Sequence, residues 1–209
     1  MIAAEATPAA EIRMLALGDS YTIGEGVAID DRWPMQLAAM LRARGLSVAT
    51  PTIVARTGWT TDELSAGIDD ARLKGTFDLV TLLIGVNNQY RGRSADEYRV
   101  QFRALLARAV GFAGGRASHV IVVSIPDWGA TPFADGRDGA RIALDIDAFN
   151  AVNRDESVRV GAPYVDVTPI SRRAASEHDL IGGDGLHPSP RMYAAWVRVM
   201  LPIVLAAIA

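Results

Sequence analysis

The sequence contains no cysteine, and it has few histidines and no excess of positive charge. The lack of cysteine excludes disulfide bonds, thiolate metal sites and cysteine nucleophiles. The three histidines, His119, His178 and His187, lie too far apart along the chain to suggest a metal cluster. Lys and Arg number 21 against 24 Asp and Glu, a net charge of −3, so no global positive field attracts nucleic acid. We therefore expect no metal site and no nucleic-acid partner.

Neither end of the chain carries a clear targeting or membrane segment. No basic residue precedes a long apolar run in the N-terminal MIAAEATPAAEIR, so this stretch does not look like a signal peptide. The C-terminal MYAAWVRVMLPIVLAAIA is strongly apolar, but Arg198 and Pro202 interrupt it and it barely reaches spanning length. We expect a buried helix here, no membrane insertion, and a cytoplasmic location, or a periplasmic or secreted one if a leader has been removed.

The 209 residues suffice for one sizeable hydrophobic core, so residues 1–209 are predicted to form a single domain, with residues 1–11 as a flexible N-terminal extension. Short apolar runs alternate with longer segments of helical periodicity, a pattern typical of βαβ units. The predicted strands are 13–17, 47–54, 78–84, 119–124 and 163–167, and the predicted helices are about 33–44, 61–73, 95–113, 145–161 and 190–207. The prediction is an α/β fold: a three-layer α/β/α sandwich around a five-stranded parallel, flavodoxin-like sheet.

Local signals mark several element ends and one unusual loop. Thr60 and Glu63 have the spacing of a capping box, and Ser189-Pro190 supplies an N-cap and a first-turn proline. The acidic pair Asp145 and Asp147 is predicted to start a helix. Residues 126–144 are rich in Gly, Pro and Asp and too long for an ordinary connection, so we expect a lid or a wall for a substrate.

Polar residues follow the predicted strands at the edge where an open parallel sheet binds ligands. Ser20 follows the first strand in LALGDSYTIGEG, Gly58 the second, and Asn87 the third, while Asp184 and His187 precede the last helix. The glycines and hydroxyls of the first segment fit either a phosphate-binding turn or a serine nucleophile. The whole set supplies the parts of acyl transfer: a hydroxyl, an imidazole, a carboxylate and amide donors.

The four blocks GDSYTIGEG, TGWT, GVNN and DGLHP, in this order, resemble those of the SGNH hydrolases, the GDSL family of esterases and lipases. The resemblance implies the SGNH hydrolase fold and a serine esterase that needs no cofactor. Ser20 would be the nucleophile, His187 the general base and acid, and Asp184 its hydrogen-bond acceptor. The oxyanion hole would consist of the Ser20 and Gly58 backbone N–H groups and the Asn87 side-chain amide.

One position departs from the family pattern, because Asn88 stands where many members have aspartate. The change leaves the mechanism intact and puts only local hydrogen bonding and the substrate subclass in question. Asp19 is interpreted as structural, its carboxylate bonded to backbone N–H groups of the turn. Gly18 is expected to allow a tight turn before the serine.

The substrate is expected to be a small-molecule ester, and family members also act on thioesters, lysophospholipids and acetylated sugars. Trp59, Tyr90 and Trp128 lie in strand-end segments and are candidates for binding it, whereas Trp33 and Trp196 are expected in the core. Two alternatives remain: a flavodoxin-like protein that binds a phosphate or flavin, and a catalytically inactive binding module on the same fold. The sequence leaves the oligomeric state open.

Overall fold

The computed structural model describes residues 11–209, so the predicted extension lies outside the described residues except for Glu11. These residues contain one five-stranded parallel sheet in the order β2-β1-β3-β4-β5, with helices on both sides. This is the flavodoxin-like order, and the predicted fold class is confirmed. The strands are β1 Met14–Gly18, β2 Thr52–Ala55, β3 Leu79–Leu83, β4 Val120–Val123 and β5 Tyr164–Val165.

Long helices connect the strands, and short ones follow several strand ends. They are α1 Ser20–Ile23, α2 Trp33–Arg42, α3 Thr61–Asp70, α4 Val86–Tyr90, α5 Ala95–Phe112, α6 Gly139–Val160, α7 Thr168–Arg172 and α8 Pro190–Ile208. The two predicted caps are present: Glu63 accepts a hydrogen bond from the Thr60 N–H (2.8 Å), and the Ser189 hydroxyl accepts one from the Met192 N–H (3.3 Å).

Helix α6 begins earlier than predicted, which shortens the irregular loop before it. The start expected at Asp145 is wrong, because the Asp138 carboxylate accepts a hydrogen bond from the Arg141 N–H (2.9 Å) and caps the helix at Gly139. Asp145 instead pairs with Arg141 one turn back (3.0 Å). The irregular segment therefore covers residues 126–138, which we call the wall loop.

The core lies between the sheet and the two helical layers. Helix α2 packs against α8, and α5 packs against α3 and α6. Trp33 and Trp196 are fully buried, as predicted. By length and composition α8 is the one helix of residues 11–209 that could cross a membrane, but one side of it is buried against the rest of the protein.

An ion cluster joins α5 to α6. The Glu156 side chain is only 2% exposed and contacts Arg99 (3.0 Å), Arg103 (2.8 Å) and Arg159 (2.6 Å). Hydrogen bonds from Arg103 and then from Arg159 and Arg99 hold the pKa of Glu156 at about 2, although burial opposes ionisation. The carboxylate is therefore charged throughout the physiological pH range and fixes the two helices to each other.

Candidate active site

Ser20 is the first residue of α1 and follows β1 after a single residue, Asp19. The Asp19 carboxylate caps α1 by accepting a hydrogen bond from the Tyr21 N–H (3.0 Å), which is the structural role expected for it. Burial raises the pKa of Asp19 to about 7, although the bond from Tyr21 lowers it. Gly18 serves close approach rather than a turn, because a Cβ atom there would lie 2.4 Å from the Leu83 carbonyl oxygen of the neighbouring strand.

The backbone around Ser20 distinguishes between a phosphate cradle and a nucleophile. A phosphate-binding loop presents several free N–H groups to its ligand. Here the five N–H groups that follow Ser20 are used internally, by bonds of 2.9–3.0 Å from Tyr21, Thr22, Ile23, Gly24 and Glu25 to oxygens of Asp19 and Ser20. Of the N–H groups of residues 20–25, that of Ser20 alone has no acceptor among residues 11–209. A single free donor fits one oxyanion and not a phosphate group.

Gly58 lies in the turn that follows β2, the strand next to β1. Its φ of +84° is strained for any residue with a side chain, and a Cβ atom there would reach to 3.8 Å from the Arg91 guanidinium. Arg91 donates a hydrogen bond to the Gly58 carbonyl oxygen (2.7 Å) and another to Glu63 (3.1 Å), so it fixes the turn. Among residues 11–209 the Gly58 N–H has no acceptor, and Gly58 lines the same pocket as Ser20.

Asn87 and Asn88 are the second and third residues of helix α4, which begins at Val86, three residues after the end of β3 on the other side of β1. The Asn87 amide donates one hydrogen bond to the Trp59 carbonyl oxygen (2.9 Å), which fixes its orientation at the pocket. Asn88 is buried and binds Thr61 twice: its oxygen accepts from the Thr61 N–H (3.1 Å) and its amide donates to the Thr61 hydroxyl (2.7 Å). An ionised aspartate could only accept from the Thr61 hydroxyl, which here donates to Gln101, so asparagine suits this neighbour.

Asp184 and His187 lie on one closed turn between β5 and α8. The Asp184 Oδ2 atom is 2.6 Å from His187 Nδ1, and Oδ1 accepts hydrogen bonds from the Leu186 and His187 N–H groups (both 2.9 Å). Burial opposes ionisation of Asp184, but these bonds outweigh it and lower its pKa. The turn is closed by the Gly182 N–H, which donates to the His187 carbonyl oxygen (2.7 Å). A charged acceptor therefore holds Nδ1 protonated and leaves Nε2 free to take a proton.

These groups meet at one pocket of about 170 Å³. Ser20, Gly58, Asn87 and His187 all line it. The rest of its surface is largely apolar and aromatic, contributed by Tyr21, Thr57, Val86, Tyr90, Trp128, Phe133 and Leu186. The structure thus brings together Ser20, His187 with its partner Asp184, and the three predicted oxyanion donors.

The three residues predicted to bind substrate have different positions. Tyr90 and Trp128 line the pocket, and a hydrogen bond from the Trp128 indole to Gln89 (2.8 Å) fixes the ring. Trp59 is not among the lining residues, because its ring points away and packs on Gly67 of α3, where any side chain would collide with it. Phe133 also lines the pocket, although it was not predicted from the sequence. The sequence did contain a signal for it, because Phe133 is an aromatic residue in the segment that was expected to border the substrate.

A backbone hydrogen bond links the wall loop to the turn that carries His187. The Phe133 N–H donates to the Gly185 carbonyl oxygen (2.9 Å), one residue after Asp184. The start of the wall loop is fixed by Asp127, which accepts from the Gly129 N–H (2.9 Å) and from Arg172 (2.8 Å). These bonds therefore fix the position of one wall of the pocket relative to the His187 imidazole.

A hydroxyl, an imidazole oriented by a carboxylate, and three N–H donors at one pocket are the chemical parts of a serine hydrolase. Within residues 11–209, no group of three or more His, Asp or Glu side chains is arranged to hold a metal ion. The chain belongs to the GDSL-like Lipase/Acylhydrolase family, whose sequence model matches residues 16–195. It is thus an enzyme of the esterase and acylhydrolase type.

Solved structures share this fold at low sequence identity. One titled TesA has a TM-score of 0.73 at 17% identity, covering 93% of this chain and 99% of that one. The psychrotrophic esterase EstA from Pseudoalteromonas sp., inhibited by monoethylphosphonate, has a TM-score of 0.71 at 17% identity and covers 94% and 98%. The acetyl xylan esterase Axe2-W215I from Geobacillus stearothermophilus has 0.72 at 18% identity and covers 92% and 94%. No curated protein sequence matches this chain significantly.

Proposed function

We propose that this protein hydrolyses short-chain carboxylic esters through an acyl-enzyme on Ser20, with His187 as general base and acid and Asp184 as its orienting partner. The proposal rests on the N–H groups of Ser20 and Gly58, which have no acceptor in the part of the chain that the structure describes, and on the oriented amide of Asn87. All three border the pocket that also contains the Asp184-bound imidazole. Such a set of donors serves the one oxygen that becomes negatively charged in acyl transfer.

The reaction has two halves of the same form. Ser20 Oγ attacks the ester carbonyl carbon while His187 Nε2 takes the hydroxyl proton, and the oxyanion binds the three donors. The tetrahedral intermediate collapses, the bond to the alcohol breaks, and the alcohol leaves with the proton from His187. Water then attacks the acyl-enzyme by the same route, which releases the acid and restores Ser20.

The size of the pocket favours a short acyl chain. Its volume of about 170 Å³ is smaller than the roughly 300–1,000 Å³ of pockets that hold drug-sized ligands. The apolar walls suit an acetyl to butyryl group, and acetylated sugars and short thioesters belong in the same substrate panel.

The test combines labelling with kinetics. A fluorophosphonate should add to Ser20, as read by mass spectrometry of the digested protein. Hydrolysis of p-nitrophenyl esters should be fastest for two to four acyl carbons and fall for eight or more. Ser20→Ala should abolish both, while Ser176→Ala, which changes an exposed serine outside the pocket, should leave them unchanged.

Three results would contradict the proposal. Full activity in Ser20→Ala would show that Ser20 is not the nucleophile, and labelling of another serine would assign that role to the labelled residue. An absence of turnover across esters and thioesters, in a folded protein, would favour the inactive binding module. Yellow colour or a bound flavin would favour the flavodoxin-like alternative.

A further inference from the structure

A guanidinium lies over the aromatic side of the pocket. Tyr90, Trp128 and Phe133, which we call the aromatic wall, have their ring centroids 5.4–6.3 Å apart. The Arg137 guanidinium carbon lies 5.6, 5.4 and 5.3 Å from the centroids of Tyr90, Trp128 and Phe133, respectively. All three rings line the pocket, whereas Arg137 is exposed and does not, so its charge lies against the aromatic wall on the solvent side.

The charge of Arg137 is not neutralised by a protein carboxylate. Among residues 11–209 no Asp or Glu oxygen lies within 4.0 Å of it. Its two acidic neighbours face elsewhere, since Asp138 caps α6 and Asp135 lines a separate surface cavity with His178. Arg91, by contrast, is bound to Glu63 and to the Gly58 carbonyl oxygen.

Stabilising the rings does not account for this arginine. The Trp128 indole is already fixed by Gln89 (2.8 Å) and packs edge-on against Tyr90. An arginine that stacks on aromatic rings uses the face of its guanidinium, and the five N–H donors in its plane stay available. Those donors match two oxygens of a carboxylate or phosphate. The turn beneath is also fixed, because the Arg137 N–H donates to the Ala134 carbonyl oxygen (2.9 Å).

We infer that Arg137 binds an anionic group, a carboxylate or phosphate, carried by the ester at a distance from the reacting carbonyl. The enzyme then prefers negatively charged short esters to neutral esters of the same size. This inference rests on the proposed function, which supplies the ester. The anion belongs either to the acyl chain or to the alcohol, and matched substrates distinguish these two sources.

The experiment pairs each charged ester with a neutral one. Monoethyl succinate against ethyl butyrate tests the acyl side, and 4-acetoxybenzoate against 4-acetoxybenzamide tests the alcohol side. The variants are Arg137→Gln, Arg137→Lys and, as a control, Arg141→Gln, an exposed arginine on the first turn of α6. Initial rates are followed by pH-stat at low and at 0.5 M salt.

We expect the wild type to prefer the charged ester of one pair. Arg137→Gln should lower kcat/KM for that ester roughly 10- to 100-fold, as for a charged hydrogen bond, mainly through KM. The neutral ester should change less than about twofold. Arg137→Lys should retain part of the preference, Arg141→Gln all of it, and salt should weaken it.

Equal losses for both members of a pair in Arg137→Gln, or no charge preference in the wild type, would overturn the inference. A binding measurement separates this failure from failure of the proposed function. Succinate and 4-hydroxybenzoate, the anionic products, should bind to the wild type and not to Arg137→Gln, as measured by isothermal titration calorimetry. If no ester is turned over, this arm still decides whether Arg137 binds anions.

Discussion

Replacement of Asp184 by Asn tests how the imidazole is oriented, because the local hydrogen bonds determine which way the new side chain must face. Oδ1 accepts from two backbone N–H groups, those of Leu186 and His187. An asparagine keeps both bonds only when its oxygen takes that place, and its NH₂ group then faces His187 Nδ1. This arrangement forces the imidazole into the tautomer with the proton on Nε2, which cannot accept the proton of Ser20.

The magnitude follows from the alternative rotamer. Turning the amide around would orient the histidine correctly but point NH₂ at two N–H donors, at a cost of about 1–3 kcal/mol for each lost bond. A total of roughly 2–6 kcal/mol corresponds to a loss of about 30-fold to 10⁴-fold in kcat at 1.36 kcal/mol per decade. KM should stay near its wild-type value, because Asp184 is not among the pocket-lining residues.

The assay is hydrolysis of a short-chain p-nitrophenyl ester, together with ¹⁵N NMR of the imidazole to identify its tautomer. His187→Ala should lose at least tenfold more than Asp184→Asn, since it removes the base itself. Asp179→Asn, which removes an exposed charge near the same turn, should behave as wild type. Activity of Asp184→Asn within threefold of wild type, a loss equal to that of His187→Ala, or a proton on Nδ1 would refute the reasoning.

Three further predictions concern other parts of the molecule. Asn87→Ala should lower kcat roughly 10²- to 10³-fold, as expected for one oxyanion donor, with little change in KM; a change confined to KM would contradict the assignment. Glu156→Gln should lower the free energy of unfolding at pH 7 by about 2 kcal/mol. This value is smaller than the full pKa shift of Glu156 from 4.5 to about 2 would give, because its arginine partners are partly exposed and solvent screens their charge. Because the folded-state pKa is depressed, this difference should be complete above pH 4.5 and disappear as the pH falls through 2, and urea titrations at pH 2–7 measure it. Asp19→Asn should act in the opposite sense: the raised pKa of about 7 means that wild-type stability falls between pH 4 and 7, by up to about 4 kcal/mol, so the variant should show a flatter profile and greater stability at pH 8.

The sheet could be predicted from the alternation of apolar runs with helical segments. The proximity of Ser20, Gly58 and Asn87 could be predicted because each follows a strand, and the carboxyl ends of neighbouring parallel strands meet at one edge of the sheet. The proximity of Asp184 to His187 followed from a spacing of three residues within one turn. These parts depend on short-range pattern and topology, which sequence expresses directly.

Other features depended on contacts that the local sequence does not determine. The direction of Trp59 depends on the space that Gly67 leaves on α3, eight residues away. The position of Arg137 over three rings requires the wall loop to fold onto α4, through contacts such as the bond between Trp128 and Gln89. The early start of α6 depended on Asp138 acting as a cap, although Asp145 offered an equally acidic start by sequence.

The hydrogen bond from Phe133 to Gly185 couples the loop that borders the substrate to the turn that carries His187. A loop exchanged to accommodate a different acyl group also replaces the donor that fixes the turn beside Asp184. New substrate preferences are therefore easiest to obtain by changing the side chains at positions 128, 133 and 137 while the backbone path stays the same. Insertions in the wall loop alter the alignment of the histidine as well. A wider range of substrates obtained by such insertions should therefore come with a lower rate.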